Sequence, residues 1–223
     1  MFMSGSYLAL IVVTLIIGMG AQFYVNNQIR KYLRVPSSRG VTGAEMARRM
    51  LADHGIYNVE IRRGGPSEDH FDPRDNSITL DPDAFGGTSV TAIATACHEA
   101  GHACQFAEDY APMKIRGALV PAVNFASNAW IFLLMIGIAM QLAGLQALAI
   151  VVYAVVVLFQ LVTLPVEFNA SHRAMDYLKG TGVVAAESRG AYKVLRACAL
   201  TYVAAALTSV LQLLWLLGQQ RDE

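Results

Sequence analysis

The sequence predicts a mostly α-helical integral membrane protein, with about four transmembrane helices and a small α+β unit on the cytoplasmic side. Three observations point there. The chain is 55 % hydrophobic and only 15 % charged, whereas a soluble domain carries about a quarter charged residues. Its uncharged stretches are long enough to cross a bilayer. Between the first two of them lie short segments with the periodicities of amphipathic helices and half-buried strands.

The first element is "YLALIVVTLIIGMGAQFYV", residues 7–25, which has no charge and meets the roughly 20 residues a spanning helix needs. It has no basic n-region and no small-residue cleavage site before a mature domain, so residues 1–25 read as an anchor and not as a signal peptide. A folded unit follows over residues 26–127. "VTGAEMARRMLADHG" opens with Thr42 and Glu45 in capping-box spacing, continues with Met46, Met50 and Leu51, and stops at Gly55. "NVEIRR" (58–63) and "NSITL" (76–80) alternate apolar and polar residues as strands do. "GGPSEDHFDPRD" between them reads as turn material. "DPDAFGGTS" leads into a further helix, with Thr88 or Ser89 as N-cap.

The uncharged block 128–164 is too long for one span and is interrupted by "QLAGLQ" (141–146). It predicts a helical hairpin over residues 128–166, either spanning or re-entrant. Residues 167–196 then form a cytoplasmic helical segment, and residues 197–223 hold a last span and a short tail. Of 17 Lys and Arg, 11 lie between spans one and two and 5 between spans three and four, leaving only Arg221 outside. The positive-inside rule places both loops in the cytoplasm and both termini outside. The two loops also hold every histidine. No internal repeat, low-complexity tract or basic, aromatic-interleaved patch occurs, so nucleic acid is not an expected partner. Cys97 and Cys104 are seven positions apart, roughly 10 Å along a helix, too far for a disulfide. They and Cys198 read as small buried hydrophobes.

Chemistry concentrates in "HEAGH", residues 98–102. On a helix, positions i and i+4 share a face, so His98 and His102 can close on one metal ion. Glu99 is rotated by about 100°; it misses the metal and can reach a water beside it. Catalytic zinc takes three protein ligands and keeps a fourth position open. His54 sits at a helix end, where a cation is ordinary. His70 lies in a turn and reads as a surface or substrate contact, and His172 remains an alternative. The stronger candidate is Glu167 in "LPVEFNASHRA" (164–174), the first charge after the hairpin, which returns the chain to the face holding His98 and His102. Its competing reading is an interfacial charge that marks the end of a span. If 167–174 is helical, Ala170, Ser171 and Ala174 share the Glu167 face. Small residues there allow close approach to the helix of Ala100, Gly101 and Ala103, and Ser171 can hydrogen-bond a ligand. His172 and Arg173 are nearby donors for a developing oxyanion, although an ideal helix turns both away from Glu167; a structural ion pair is an equal reading of Arg173.

The stretch "HFDPRDNSITLDPDAFGGTSVTAIATACHEAGHACQFAEDYAPMKIRGALVP" followed by "EFNASHRA" resembles the bacterial YugP-type zinc-dependent membrane metallopeptidases. The resemblance covers nearly the whole chain. It implies a zincin-like metallopeptidase unit in the bacterial cytoplasmic membrane, with one Zn2+ on His98, His102 and Glu167, Glu99 as catalytic base, and a peptide or protein substrate, membrane-associated ones included. The wider H-E-x-x-H…E peptidases, the gluzincins, often carry Asp four residues after the ligand glutamate. Here that position is Ser171, so a carboxylate partner does not carry over.

The expected function is a membrane zinc metalloendopeptidase acting at the cytoplasmic face; the short sheet could pair with an extended substrate or serve only for packing. Two alternatives come from other classes. A zinc-stabilised, non-catalytic membrane scaffold or adaptor would have no use for Glu99 beside the ligands. A transporter would need ionisable residues inside the spans, and the sequence has none there.

Overall fold

Helix length sets the architecture. The computed structural model describes residues 5–221, so the termini Met1 and Glu223 lie outside the described residues. In chain order the elements are α1 (Gly5–Leu33), α2 (Gly43–Asp53), β1 (Glu60–Arg63), β2 (His70–Asp72), β3 (Ser77–Leu80), α3 (Pro82–Gly86), α4 (Val90–Ala107), α5 (Ala111–Ala139), α6 (Ala143–Gly180) and α7 (Ala185–Arg221). The fold is mostly α, and α1, α5, α6 and α7 are long and apolar enough to cross a membrane. On α1 only Val25 is buried; an apolar helix left bare in this way belongs against lipid.

The 38 residues of α6 run about 57 Å at 1.5 Å per residue, well beyond a hydrocarbon core of roughly 30 Å. Its surplus length therefore stands outside the membrane. Helix α5 likewise begins at Ala111, well before residue 128, where the sequence puts the start of the hairpin. The turn between α5 and α6 falls at Met140–Leu142, with Gln141 at φ 52°, close to where "QLAGLQ" predicts it. Pro165 does not end the helix of span three: α6 continues through it without a break, because Val166, Glu167 and Ala170 on the far side are buried against the folded unit. Tertiary packing there outweighs the one helical hydrogen bond that Pro165 cannot make.

The folded unit is built around α4. Its N-cap is Ser89, whose hydroxyl accepts from Ala92 N–H at 3.1 Å. Most of its residues are buried, including Ile93, Ala96, Cys97 and Ala100, and it packs on α2, α6 and α7. The capping box of α2 forms between Thr42 and Glu45, and Met46, Met50 and Leu51 face the core. Cys97, Cys104 and Cys198 are free thiols. The sheet has the order β1-β3-β2. β1 runs parallel to β3, pairing Ile61 with Ile78, and β2 runs antiparallel, pairing Phe71 with Ile78. β2 corrects the expectation that 64–75 is turn alone. Three residues are too few to show alternation; Phe71 is held in place by burial against Phe106, with ring centroids 5.7 Å apart. A strap fixes the start of α4: Val90 N–H donates to Val35 O, and the buried Glu187 carboxylate accepts from Ser37 Oγ, Ser38 N–H and Ser38 Oγ. It ties the loop after α1 to the first turn of α7.

Candidate metal centre and its cleft

Helix α4 presents His98 and His102 one turn apart, their rings 4.7 Å from centroid to centroid. The returning α6 brings Glu167 against them. Glu167 Oε2 lies 3.3 Å from His98 Nε2 and 3.6 Å from His102 Nε2, and one ligand atom from each residue falls within 4.8 Å of the others. The approach depends on small residues. A Cβ on Gly101 would sit 2.7 Å from Ala170 O, so the two backbones touch where both sequences are small.

The nitrogens facing away from Glu167 are held. His98 Nδ1 is 3.2 Å from Ser171 Oγ, and His102 Nδ1 is 3.0 Å from Gln105 Oε1. The Gln105 amide is the donor elsewhere, giving its Nε2 protons to Val166 O at 2.8 Å and Asn169 Oδ1 at 2.9 Å. With both lone pairs of its oxygen open, Gln105 accepts from Nδ1–H and leaves Nε2 of His102 free to ligate. Glu167 is 1 % exposed, and its Oε1 is a buried polar atom without a hydrogen-bond partner among the described residues. An orphaned carboxylate oxygen is costly; this one faces the Arg116 guanidinium, 3.7 Å away, while Oε2 turns to the histidines. Two imidazole nitrogens and a carboxylate form the donor set of a catalytic zinc, so the residues present fit that ion.

The family model described as "Putative neutral zinc metallopeptidase" matches residues 7–221. The chain belongs to this family. It is also similar to a Bacillus subtilis (strain 168) protein named "Putative membrane protease YugP", 43 % identical over 196 residues, which covers 87 % of each chain. No solved structure matches. Zinc is thus the family's metal, and His98, His102 and Glu167 are the group in this member that could hold it.

A cleft of about 470 Å³ opens beside the group, lined by Glu99, His102 and Glu167 together with residues of β2, α5 and α7. Glu99 is buried and faces this space. His70 reaches the cleft from β2, whereas His54 is spent at the α2 C-terminus, its Nδ1 2.7 Å from Met50 O. His172 and Arg173 do not face the cleft. His172 pairs with Asp176 at 3.0 Å on the outer surface, and Arg173 forms a two-pronged pair with Glu108 at 2.8 and 2.7 Å. Helical rotation explains both: five and six residues after Glu167, a side chain points off its face. Arg173 also donates from Nε to Asn169 Oδ1 at 2.8 Å, and so braces the Gln105 network from outside.

Sequence reasoning missed Gln105, Arg116, Tyr202 and Asp69. Gln105 was within reach, three residues after His102 on the same helical face. Arg116 has its Nη1 3.7 Å from Glu167 Oε1, too long for a hydrogen bond but close enough to act by charge. Tyr202 lines the cleft from α7, and its hydroxyl has no hydrogen-bond partner among the described residues; nothing local in the sequence signals either residue. Burial pushes the Asp69 carboxyl up to about 6, against the hydrogen bond it accepts from Asp81 N–H and with the added repulsion of Glu99.

Proposed function

We propose that this protein is a membrane-embedded zinc metalloendopeptidase that cuts peptide bonds at the cytoplasmic membrane face. One observation carries the reading: a buried acid, Glu99, with no hydrogen-bond partner among the described residues, shares a substrate-sized cleft with His102 and Glu167 of the candidate ligand group. A purely structural zinc site closes all four positions and needs no such acid.

His98 Nε2, His102 Nε2 and the Glu167 carboxylate would hold the ion. When bound, zinc supplies Lewis acidity, polarising a carbonyl and making a water molecule more acidic. The Glu99 carboxylate takes a proton from the attacking water and delivers it to the leaving nitrogen; the carbonyl carbon gains a bond to oxygen and loses its bond to nitrogen. Tyr202 offers its hydroxyl proton to the carbonyl oxygen as negative charge develops there. Arg116 steadies the Glu167 oxygen that faces away from the histidines. Among the described residues the outer edge of β2 has no strand partner, and β2 borders the cleft, so an extended substrate can add to it by main-chain pairing. The bias of Lys and Arg toward the two loops supports placing this centre in the cytoplasm and both termini outside.

The test is detergent-purified protein, assayed for zinc stoichiometry and for cleavage of an unfolded reporter, beside the Glu99→Gln variant. One zinc per chain in both is expected. Hydrolysis in the variant should be lower by at least ~10²–10⁴-fold, the usual share of general acid–base catalysis. Equal turnover by the two proteins would remove Glu99 from the mechanism. Zinc in both with cleavage by neither would favour the scaffold.

A further inference from the structure

The cleft does not stop at the metal-ligand group. It extends past Glu167 to Phe159 on α6, to Gly117 and Val120 on α5, and to Tyr202 on α7. Phe159 lies eight residues before Glu167, about 12 Å back along the helix axis. Residues 117–166 carry no charge, and neither do residues 197–220. This end of the cleft therefore lies against the uncharged segments, beginning beside Arg116 at Gly117, and Phe159, Val120 and Gly117 give it largely apolar walls. The opposite end, with Asp69, His70, Asp109 and Lys114, is polar.

Gly117 occupies the wall of the apolar end. A glycine in a helix costs stability relative to alanine, and it is often kept for a close backbone approach, as at Gly101. Among the described residues nothing approaches Gly117: a Cβ there would meet no atom within 4 Å. Gly117 is exposed and lines the cleft, so its wall is open there.

Resting on the peptidase reading, we propose that this membrane-facing end is the specificity subsite, that it receives one large apolar side chain (Phe, Leu or Met) of the substrate beside the scissile bond, and that Gly117 sets its depth. Continuity with the catalytic group selects a substrate side chain over a lipid acyl chain as occupant, since whatever fills this end lies next to Glu167 and Tyr202. The substrate class follows: polypeptide segments with large apolar residues at the cut, such as the borders of membrane-embedded segments.

The experiment measures binding and so does not depend on turnover. Zinc-loaded protein in detergent is titrated with peptide hydroxamates, which anchor on zinc, bearing a benzyl, isobutyl or methyl side chain next to the anchor. Benzyl and isobutyl should bind roughly 10–200-fold more tightly than methyl, the discrimination an apolar pocket achieves. Gly117→Leu should cut that ratio at least tenfold with zinc content retained. Phe159→Ala, which widens the same end, should shift preference toward a naphthyl side chain. Equal binding of benzyl and methyl overturns the proposal, as does a ratio unmoved in both variants. Tight co-purifying lipid at this end, with no side-chain selectivity, overturns it in favour of a lipid site. Selective binding without cleavage of any peptide would uphold the subsite while sinking the peptidase reading.

Discussion

Glu167 joins the two histidines with one oxygen and leaves the other without a hydrogen bond from any described residue, 3.7 Å from Arg116. Removing this side chain by Glu167→Ala takes away one of three donors. Zinc affinity should fall by more than the 10–100-fold typical of changes behind the ligands, as read by competition with a chelator. Tyr202→Phe deletes a single hydroxyl that no described residue uses, so zinc binding should stay while hydrolysis drops by about 10²–10³-fold, the usual effect of losing one oxyanion donor. A loss of zinc in that variant would reassign Tyr202 to support of the metal centre. Asp69 carries the pH prediction. Its carboxyl is raised to about 6 in the fold from an ordinary 3.8, so the fold disfavours its charged form. Its contribution to stability is fully present below about pH 4 and is lost as pH rises through 6. Asp69→Asn keeps an oxygen to accept Asp81 N–H and stays neutral throughout. Relative to wild type, the variant should melt higher at pH 7 and show little difference at pH 4; equal differences at both would rule out titration as the cause.

At the scale of elements, the centre depends on how closely α4 and α6 approach. The contact at Gly101 is with backbone, 2.7 Å from Ala170 O to an added Cβ, and backbone cannot rotate aside. Gly101→Ala should cost about 1–3 kcal/mol of overpacking and move Glu167 away from the histidines, weakening zinc binding by roughly 5–150-fold at 1.4 kcal/mol per decade. Gly144→Ala, also in a helix but with nothing within 4 Å, is the control and should leave zinc affinity unchanged. The long helices serve the same end: α6 passes Pro165 unbroken and carries Glu167 and Ser171 out of the membrane on one rigid rod.

For the whole molecule, the clustering of 16 of the 17 basic residues in two loops predicts that the β-sheet unit is cytoplasmic. A cysteine at Pro66, which is exposed in the loop before β2, should resist a membrane-impermeant thiol reagent in intact cells and react after permeabilisation. The native Cys97 and Cys104 are buried and give little background. Ready labelling from outside would invert the orientation and leave the chemistry of the centre untouched.

What the sequence by itself determined was local or additive. Span positions follow from summed transfer free energies over some 20 residues, the α2 capping box from contacts within one turn, and the His98/His102 pair from the helical repeat. Ser171 was legible for the same reason, as a position one turn beyond Glu167. Only the tertiary structure decided which groups meet across the cleft. Arg116, Tyr202 and Asp69 come from the start of α5, from α7 and from a loop, and their convergence depends on the rotation and spacing of packed helices, which no local pattern records. Strand β2 likewise exists because Phe71 finds Ile78 and Phe106, contacts that three residues of sequence cannot announce. Gly101 and Gly117 show the division most plainly. Both are glycines inside helices, yet one is pressed against Ala170 and the other faces open cleft, and that difference arises only from what packs beside them.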